Sequence, residues 1–222
     1  MDKPMIEITL DKRALARVQL MLKEVPREMP AIISRSINQT AQSAKAEITR
    51  RLAAEVNLPQ NRIRQGIVIH KAARKSWQAV IDVFSKRIPL IFFAARRLKK
   101  GVSYQISKAE GRKQIKEDPA TVFIQTMPSG HKGVFRRVGP ALWRGAKSLY
   151  WRREIRKVGG KSHRIGRLPI VQLLGPSLGA LFEGAAGLAR DVVMRGYRDL
   201  ERNIDAQIKW VLGKLRSGRK AA

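Results

Sequence analysis

The segment spanning residues 121–181 sets the architecture around which the rest of the sequence is arranged. It opens with an apolar run at 121–127, and a second short run at 134–138 follows a turn cluster rich in Pro, Ser and Gly. Two β-prone runs separated by such residues predict a β-hairpin with a loop of medium length. Gly-Pro-Ser at 175–177 then precedes helical periodicity, so we expect its serine to cap a C-terminal helix that follows the sheet.

Residues 128–170 carry twelve Lys or Arg side chains and a single carboxylate, Glu154. The whole chain has a formal net charge of +29 at pH 7. Such a charge opposes self-association unless a polyanion or an acidic partner neutralises it, and nucleic acid is the usual partner. At this point the basic block fits DNA and acidic protein surfaces alike. We predict that ten of its cations contact DNA or a neighbouring subunit: Lys132, Arg136, Arg137, Arg144, Lys147, Arg152, Arg153, Arg156, Arg164 and Arg167.

Arg136 and Arg137 are consecutive on the second predicted strand, so their side chains should point to opposite faces. A buried guanidinium group needs a charged or hydrogen-bonding partner. Because acids are nearly absent from this region, we expect the inward arginine to pair with another subunit or with a cluster of carbonyl groups.

Three aromatic residues, Trp143, Tyr150 and Trp151, are interleaved with these cations. Aromatic rings and arginines together stack on bases and bind phosphates. The same residue types are enriched in subunit interfaces. The sequence supports both interpretations equally.

The sequence offers no recognisable catalytic or metal-binding constellation. His70, His131 and His163 are far apart and each has basic neighbours, which disfavours metal binding. The chain has no cysteine, which excludes disulfides and thiolate metal sites. A glycine-rich phosphate loop is absent as well. We therefore expect a protein with no enzymatic activity and no cofactor.

A chain of 222 residues with 44% hydrophobic residues is long enough to bury a core. The N-terminus lacks the basic flank and apolar core of a signal peptide, and prolines, glycines and a glutamate interrupt the most apolar stretch, 168–189. We therefore expect no membrane-spanning segment. The predicted organisation is a single domain, residues 1–222, that is helical over 11–66, β-rich over 67–176 and helical again over 177–216.

The helices are predicted from apolar residues spaced by three or four. A strand at 5–10 precedes a helix that Asp11 can cap. The longest N-terminal helix, 31–56, has a narrow stripe rich in small residues, which favours close packing rather than DNA reading: Ile33, Ile37, Ala41, Ala44, Ile48 and Leu52. Three glycines predict a kink or a break in the C-terminal helix: Gly184, Gly187 and Gly196.

Several short runs between the helices have the composition of β-strands, among them 67–69, 77–84 and 102–106. Pro89 indicates that 88–93 lies at an edge or a corner, and residues 108–118 are a loop or a weak strand. The predicted fold class is therefore α+β. It has long N-terminal helices packed on a mostly antiparallel β-sheet or partly closed barrel, and a long C-terminal helix.

Several of these segments also carry a family resemblance. Residues 36–41, Ser-Ile-Asn-Gln-Thr-Ala, resemble the Ala-Leu-Asn-x-Thr-Ala opening of bacteriophage tail-assembly proteins. Five further motifs occur in an order that resembles the prophage minor tail protein Z family: 88–93, 101–103, 129–137, 167–170 and 175–177. The resemblance runs from about Ile32 to the C-terminal helix. The basic stretch at 143–161 is longer than expected between two of the motifs.

The resemblance implies a tail completion protein that acts where the finished tail tube meets the head. Its implied partners are the tail terminator or tail tube, head–tail connector proteins and double-stranded DNA, with no membrane. It also implies a homo-oligomeric ring, for which six-fold symmetry is favoured. The implied location is the head-proximal end of the tail in the virion, and the host cytoplasm during assembly. The alternative is a sequence-nonspecific nucleic-acid-binding protein outside any virion, whose motifs match by coincidence.

Overall fold

The computed structural model describes residues 6–9, 16, 20, 26–117, 121–137, 157–158, 161–162 and 170–220. The chain divides into two compact units. Met1–Arg87 and Pro176–Ala222 form the first unit, and Ile88–Gly175 form the second. Helices and antiparallel strands are both present, which confirms the α+β class, and none of the described sheets closes into a barrel.

Across its described residues, the first unit contains two long helices, two short helices and a three-stranded sheet. The helices are α1 (Met29–Glu55), α2 (Gln60–Gln65), α3 (Leu178–Gly184) and α4 (Leu188–Lys220), with a 3₁₀ turn at Pro26–Glu28. The strands are β1 (Ile6–Thr9), β2 (Ile67–His70) and β3 (Gln78–Val83). Both β1 and β2 pair antiparallel with β3, so β3 is central.

The long helix α1 confirms the predicted stripe. All six of its apolar positions are buried, and Pro30 lies in the first turn, where its missing N–H costs nothing. The helix ends at Glu55, and the N–H of the C-cap residue Val56 donates to the Leu52 carbonyl. The helix predicted after Asp11 lies largely outside the described residues, although Ala16 and Leu20 are helical.

The C-terminal helix is interrupted as the glycines predict. The Ser177 hydroxyl accepts a hydrogen bond from the Ala180 N–H (3.1 Å) and caps α3, which confirms the predicted N-cap. The chain then breaks before α4, where Gly187 has a φ of +75°, a conformation that residues with a Cβ rarely adopt. Gly196 lies inside α4 without ending it.

Helices α1 and α4 pack against each other in antiparallel orientation and form the core of the first unit. Three contacts record this orientation. The N-terminal Arg35 lies near Trp210, Thr40 bonds to Asn203, and Arg51 pairs with Asp191. Residue numbers therefore increase along α1 in the direction in which they decrease along α4.

The second unit consists mainly of short strands. Six of them are β5 (Arg96–Arg97), β6 (Val102–Tyr104), β7 (Lys113–Ile115), β8 (Val122–Thr126), β9 (Lys132–Arg137) and β12 (Ile170–Gln172). They form two three-stranded antiparallel sheets, with the orders β5–β6–β7 and β12–β9–β8. A two-stranded sheet joins β10 (Lys157–Val158) to β11 (Lys161–Ser162). Two further strands form a pair in which the chain passes between the units, β4 (Arg87–Pro89) and β13 (Leu174–Ser177).

Candidate interaction surface

The predicted hairpin is formed by β8 and β9, which pair from Val122↔Arg136 to Thr126↔Lys132. Two backbone hydrogen bonds close its loop: Met127 N–H to the His131 carbonyl and Gly130 N–H to the Met127 carbonyl, both 2.8 Å. The loop is exposed and short. It therefore holds Lys132, an exposed member of the predicted contact set, at the first position of a strand.

Arg136 has its partner within its own chain. Its guanidinium group forms an ion pair with Glu117, and its Nε donates to Glu117 Oε2 (3.1 Å). The sequence predicts that the inward arginine pairs with another subunit or with a cluster of carbonyl groups. Arg136, whose side chain is 43% exposed, pairs instead with a carboxylate of its own chain. Glu117 lies upstream of the hairpin, outside the acid-poor stretch 128–170, and only the fold brings it to β9.

Arg137 points to the opposite face of β9, as consecutive strand residues do. Its Cζ lies 5.1 Å from the centroid of the Phe123 ring, which is a cation–π distance. Phe123 in turn lies beside Phe135, with the ring centroids 6.2 Å apart. The Nε of Arg137 is buried and has no hydrogen-bond partner among the described residues. The guanidinium group is therefore held by packing, with one donor unsatisfied.

Strand β12 forms one edge of this sheet and exposes apolar side chains. It pairs with β9 from Ile170↔Arg137 to Gln172↔Phe135. Ile170 is 39% exposed and Val171 is 53% exposed. Edge strands present unpaired backbone groups, and natural proteins usually protect them with charges or prolines. An apolar edge of this kind is typical of a strand that contacts another chain.

Seven members of the predicted contact set lie outside the described residues: Arg144, Lys147, Arg152, Arg153, Arg156, Arg164 and Arg167. The interleaved aromatics Trp143, Tyr150 and Trp151 and the histidine His163 lie outside them as well. The structure thus brings together Lys132, Arg136 and Arg137 on one strand. The role of all ten in contacting DNA or a neighbouring subunit stays a prediction.

The segment 36–41 connects three parts of the first unit. The side-chain amide of Asn38 donates to the Ala72 carbonyl (3.0 Å) and accepts from the Ala72 N–H (2.8 Å). The Thr40 hydroxyl accepts a hydrogen bond from the Asn203 amide (3.0 Å) and donates to the Ser36 carbonyl. The motif therefore fixes both the β2–β3 loop and helix α4 against α1.

The motifs of the second unit gather around Phe93, which is fully buried. Leu90 N–H donates to the Leu173 carbonyl (3.0 Å), and Leu173 N–H donates to the Val134 carbonyl (2.8 Å). A Cβ on Gly175 would lie 2.5 Å from the Phe93 ring, so only glycine lets the backbone approach it. Segments that are distant in sequence thus form one packed cluster.

The sequence model of the prophage minor tail protein Z family matches residues 15–143. This chain belongs to the prophage minor tail protein Z family. No curated protein and no solved structure matches the chain. The protein is accordingly a structural protein of a bacteriophage tail, and its place is the virion.

Within this minor tail protein, the family match includes segment 36–41, most of the Phe93 cluster and the whole hairpin. It therefore includes Lys132, Arg136 and Arg137, the three described members of the predicted contact set. The match ends at residue 143, so the remaining seven members follow it. The motifs at 167–170 and 175–177 also lie beyond the matched range.

A cluster of ion pairs joins α1 and α4 in the minor tail protein. Glu47 is buried and contacts three arginines, Arg50, Arg51 and Arg195. Burial by itself raises the pKa of Glu47, but the hydrogen bond from Arg51 and the positive charges of the three arginines together outweigh it. The pKa of Glu47 therefore lies below its ordinary value. This cluster is a structural contact that keeps a carboxylate charged inside a helix interface.

Other chemistry is limited in the part of the chain that the structure describes. No group of three or more His, Cys, Asp or Glu side chains there is arranged to hold a metal ion. His70 contacts Asp82 (2.8 Å), and His131 contacts Gln172 (2.8 Å). Among the same residues, no helix is long and apolar enough to span a membrane.

Proposed function

We propose that this minor tail protein completes the head-proximal end of a phage tail and supports the joining of tail to head. The observation that carries the proposal is the family match over residues 15–143. Because that match spans the hairpin, segment 36–41 and most of the Phe93 cluster, it argues against a coincidental likeness. It therefore disfavours the alternative of a nucleic-acid-binding protein outside any virion.

The exposed edge strand β12 supports a role in assembly. Ile170 and Val171 present an apolar strip on a strand that pairs with only one neighbour among the described residues, and Leu174 further along is 47% exposed. Apolar surface of this kind is stabilised when a neighbouring subunit covers it. We assign this edge, together with Lys132 at the hairpin, to contacts within the tail.

The proposed assembly is a homo-oligomeric ring, with six-fold symmetry favoured. Rings form when head-to-tail contacts close by rotation. Subunits that each carry a net charge of +29 repel one another strongly, so the ring needs anionic neighbours. We propose acidic surfaces of the tail terminator, tail tube or head–tail connector, and double-stranded DNA near its path from the head. Assembly would take place in the host cytoplasm.

A reconstitution assay tests the tail role. Purified protein is added to tails made without it, and particles with joined heads and tails are counted by electron microscopy. Wild-type protein should restore joining. Tails that join heads equally well with and without the protein would overturn the proposal.

A charge reversal then tests the surface. Reversing Arg136 would also break its pair with Glu117, so Lys132→Glu is the cleaner change. Lys132 is exposed, and its reversal should leave folding intact while reducing joining by about tenfold or more, since a like-charge contact with an acidic neighbour is repulsive. Lys100→Glu, at another exposed lysine of the same unit, is the matched control and should restore joining normally.

A further inference from the structure

Charge is distributed unevenly along the α1–α4 pair. The Glu47 end holds the ion pairs described above. Toward the opposite end, α1 has no acidic residue between Glu28 and Glu47, and α4 has none after Asp205. The described bases there are Arg35 on α1, and Lys209 and Lys214 on α4. One end of the helix pair is balanced, and the other is cationic.

Trp210 is the exposed aromatic residue at the cationic end. It is 55% exposed although it belongs to a helix that packs along the core. The Cζ of Arg35 and the Nζ of Lys214 each lie 5.6 Å from the centroid of its ring. Both are exposed side chains with several rotatable bonds, so they can leave the ring for a nearby phosphate.

A basic loop is attached to α1 near Arg35. Asn38, about one helical turn or roughly 4.5 Å along α1 from Arg35, holds the β2–β3 loop through Ala72. Ala73 and Ser76 close the loop with two backbone hydrogen bonds, of 3.0 and 3.1 Å. The loop is thus held in place while it exposes three cations: Lys71, Arg74 and Lys75.

We propose that this surface binds single-stranded DNA. We call it the Trp210 surface, and it consists of Arg35, Lys71, Arg74, Lys75, Trp210 and Lys214. An unpaired base stacks on the Trp210 ring while the cations contact the phosphates on either side of it. Alternating aromatic rings and cations are the usual means of binding single strands without sequence preference.

The chemistry of the surface selects this ligand over two others. An acidic peptide would neutralise the cations, but its carboxylates offer no flat ring to stack on the tryptophan. A duplex offers its phosphates and base edges but keeps its base faces stacked inside. A single strand supplies both an exposed base face and phosphates. The inference rests on the proposed function only in that a protein at the head-proximal end of a tail meets DNA.

The test measures binding of the full-length protein to a labelled oligothymidylate and to a duplex of equal length by fluorescence anisotropy. Trp210→Ala should weaken binding of the single strand by about tenfold and of the duplex by less than about twofold. Trp210→Leu, which keeps an apolar side chain at this position, should behave in the same way. Circular dichroism melting verifies that each variant is folded, and the leucine variant carries the test if the alanine variant unfolds.

One matched control accompanies the tryptophan variants and another accompanies the variants of the cations. Tyr197→Ala removes an aromatic side chain of similar exposure, 57%, from the same helix and should change binding by less than about twofold. Arg35→Ala and Lys214→Ala should each lower the slope of log affinity against log salt for the single strand by about 0.7. Arg202→Ala removes a cation that pairs with Asp199 at the balanced end and should leave that slope unchanged.

Three outcomes would overturn the inference. Equal losses in the Trp210→Ala and Tyr197→Ala variants would show that the tryptophan has no special role. Equal losses for the duplex and the single strand would assign the surface to phosphates alone. Displacement of the oligonucleotide by polyglutamate as effectively as by unlabelled oligothymidylate would assign it to an acidic protein. The assay uses no tails, so its result is independent of the tail-joining assay.

Discussion

Thr40 and Asn203 form a buried side-chain hydrogen bond between residues 163 positions apart in sequence. Thr40 is fully buried and Asn203 is nearly so, which means that water cannot replace either partner. A buried amide that loses its acceptor keeps its full desolvation cost. This single contact therefore links the 36–41 motif to the stability of the α1–α4 pair.

Thr40→Val should lower the free energy of unfolding by about 1–3 kcal/mol, because the Asn203 amide is left without its acceptor. The control is Thr49→Val on the same helix. Thr49 is also buried and also donates to the carbonyl four residues before it, Lys45 (2.8 Å). Its replacement should cost only about 0.5–1 kcal/mol. Urea unfolding measures both, and equal losses would contradict a special role for Asn203.

At the scale of elements, α1 is held in the core by its small residues. Ala41 is fully buried, and Ala44 is nearly so. A side chain of one carbon lets the helix lie close to its neighbours, whereas a larger one would force them apart. Ala44 also borders a cleft of about 20 Å³ between β1 and α4, which gives it slightly more room.

Ala41→Leu should therefore lower the melting temperature, with a loss of stability of about 1–3 kcal/mol from overpacking. Ala44→Leu should cost less, since part of the added side chain can enter the cleft. Ala46→Leu and Ala54→Leu, at exposed positions of the same helix, should change stability by less than about 0.5 kcal/mol. Thermal melts of all four variants measure these losses. Equal changes in melting temperature for the buried and the exposed substitutions would contradict the packing role of Ala41 and Ala44.

At the scale of the whole molecule, the net charge of +29 dominates how the protein meets other molecules. The ion pairs of the described residues involve only a minority of the cations. Many of the described Lys and Arg side chains are exposed. Phosphates bound by such side chains release counterions, and the affinity then depends steeply on salt.

We expect duplex DNA to bind without sequence preference and to lose affinity by about 10³-fold or more between about 50 and 200 mM salt. Anisotropy titrations with two duplexes of different base composition measure both properties. Binding that is indifferent to salt, or that separates the two duplexes by more than about tenfold, would contradict a surface that contacts phosphates.

Local sequence patterns determined the elements of this protein. Apolar spacing of three and four, Pro30 at the start and the glycines before Leu188 predicted the helices, because helix formation depends on neighbours within a turn. The same holds for the hairpin, whose turn residues and alternating runs are adjacent in sequence. These patterns predict Arg136 and Arg137 on a strand and Lys132 in the turn before it. In the structure the strand begins earlier, and Lys132 is its first residue.

Only the tertiary structure decided which distant side chains meet. The Glu117 partner of Arg136, the Asn203 partner of Thr40 and the Arg35 neighbour of Trp210 all depend on how complete elements pack. The sequence shows that Trp210 and Lys214 are four residues apart, but it does not show that Arg35, on another helix, lies beside them. Periodicity identifies the face that a helix buries and leaves open which helix covers it. That choice comes from packing across the whole core.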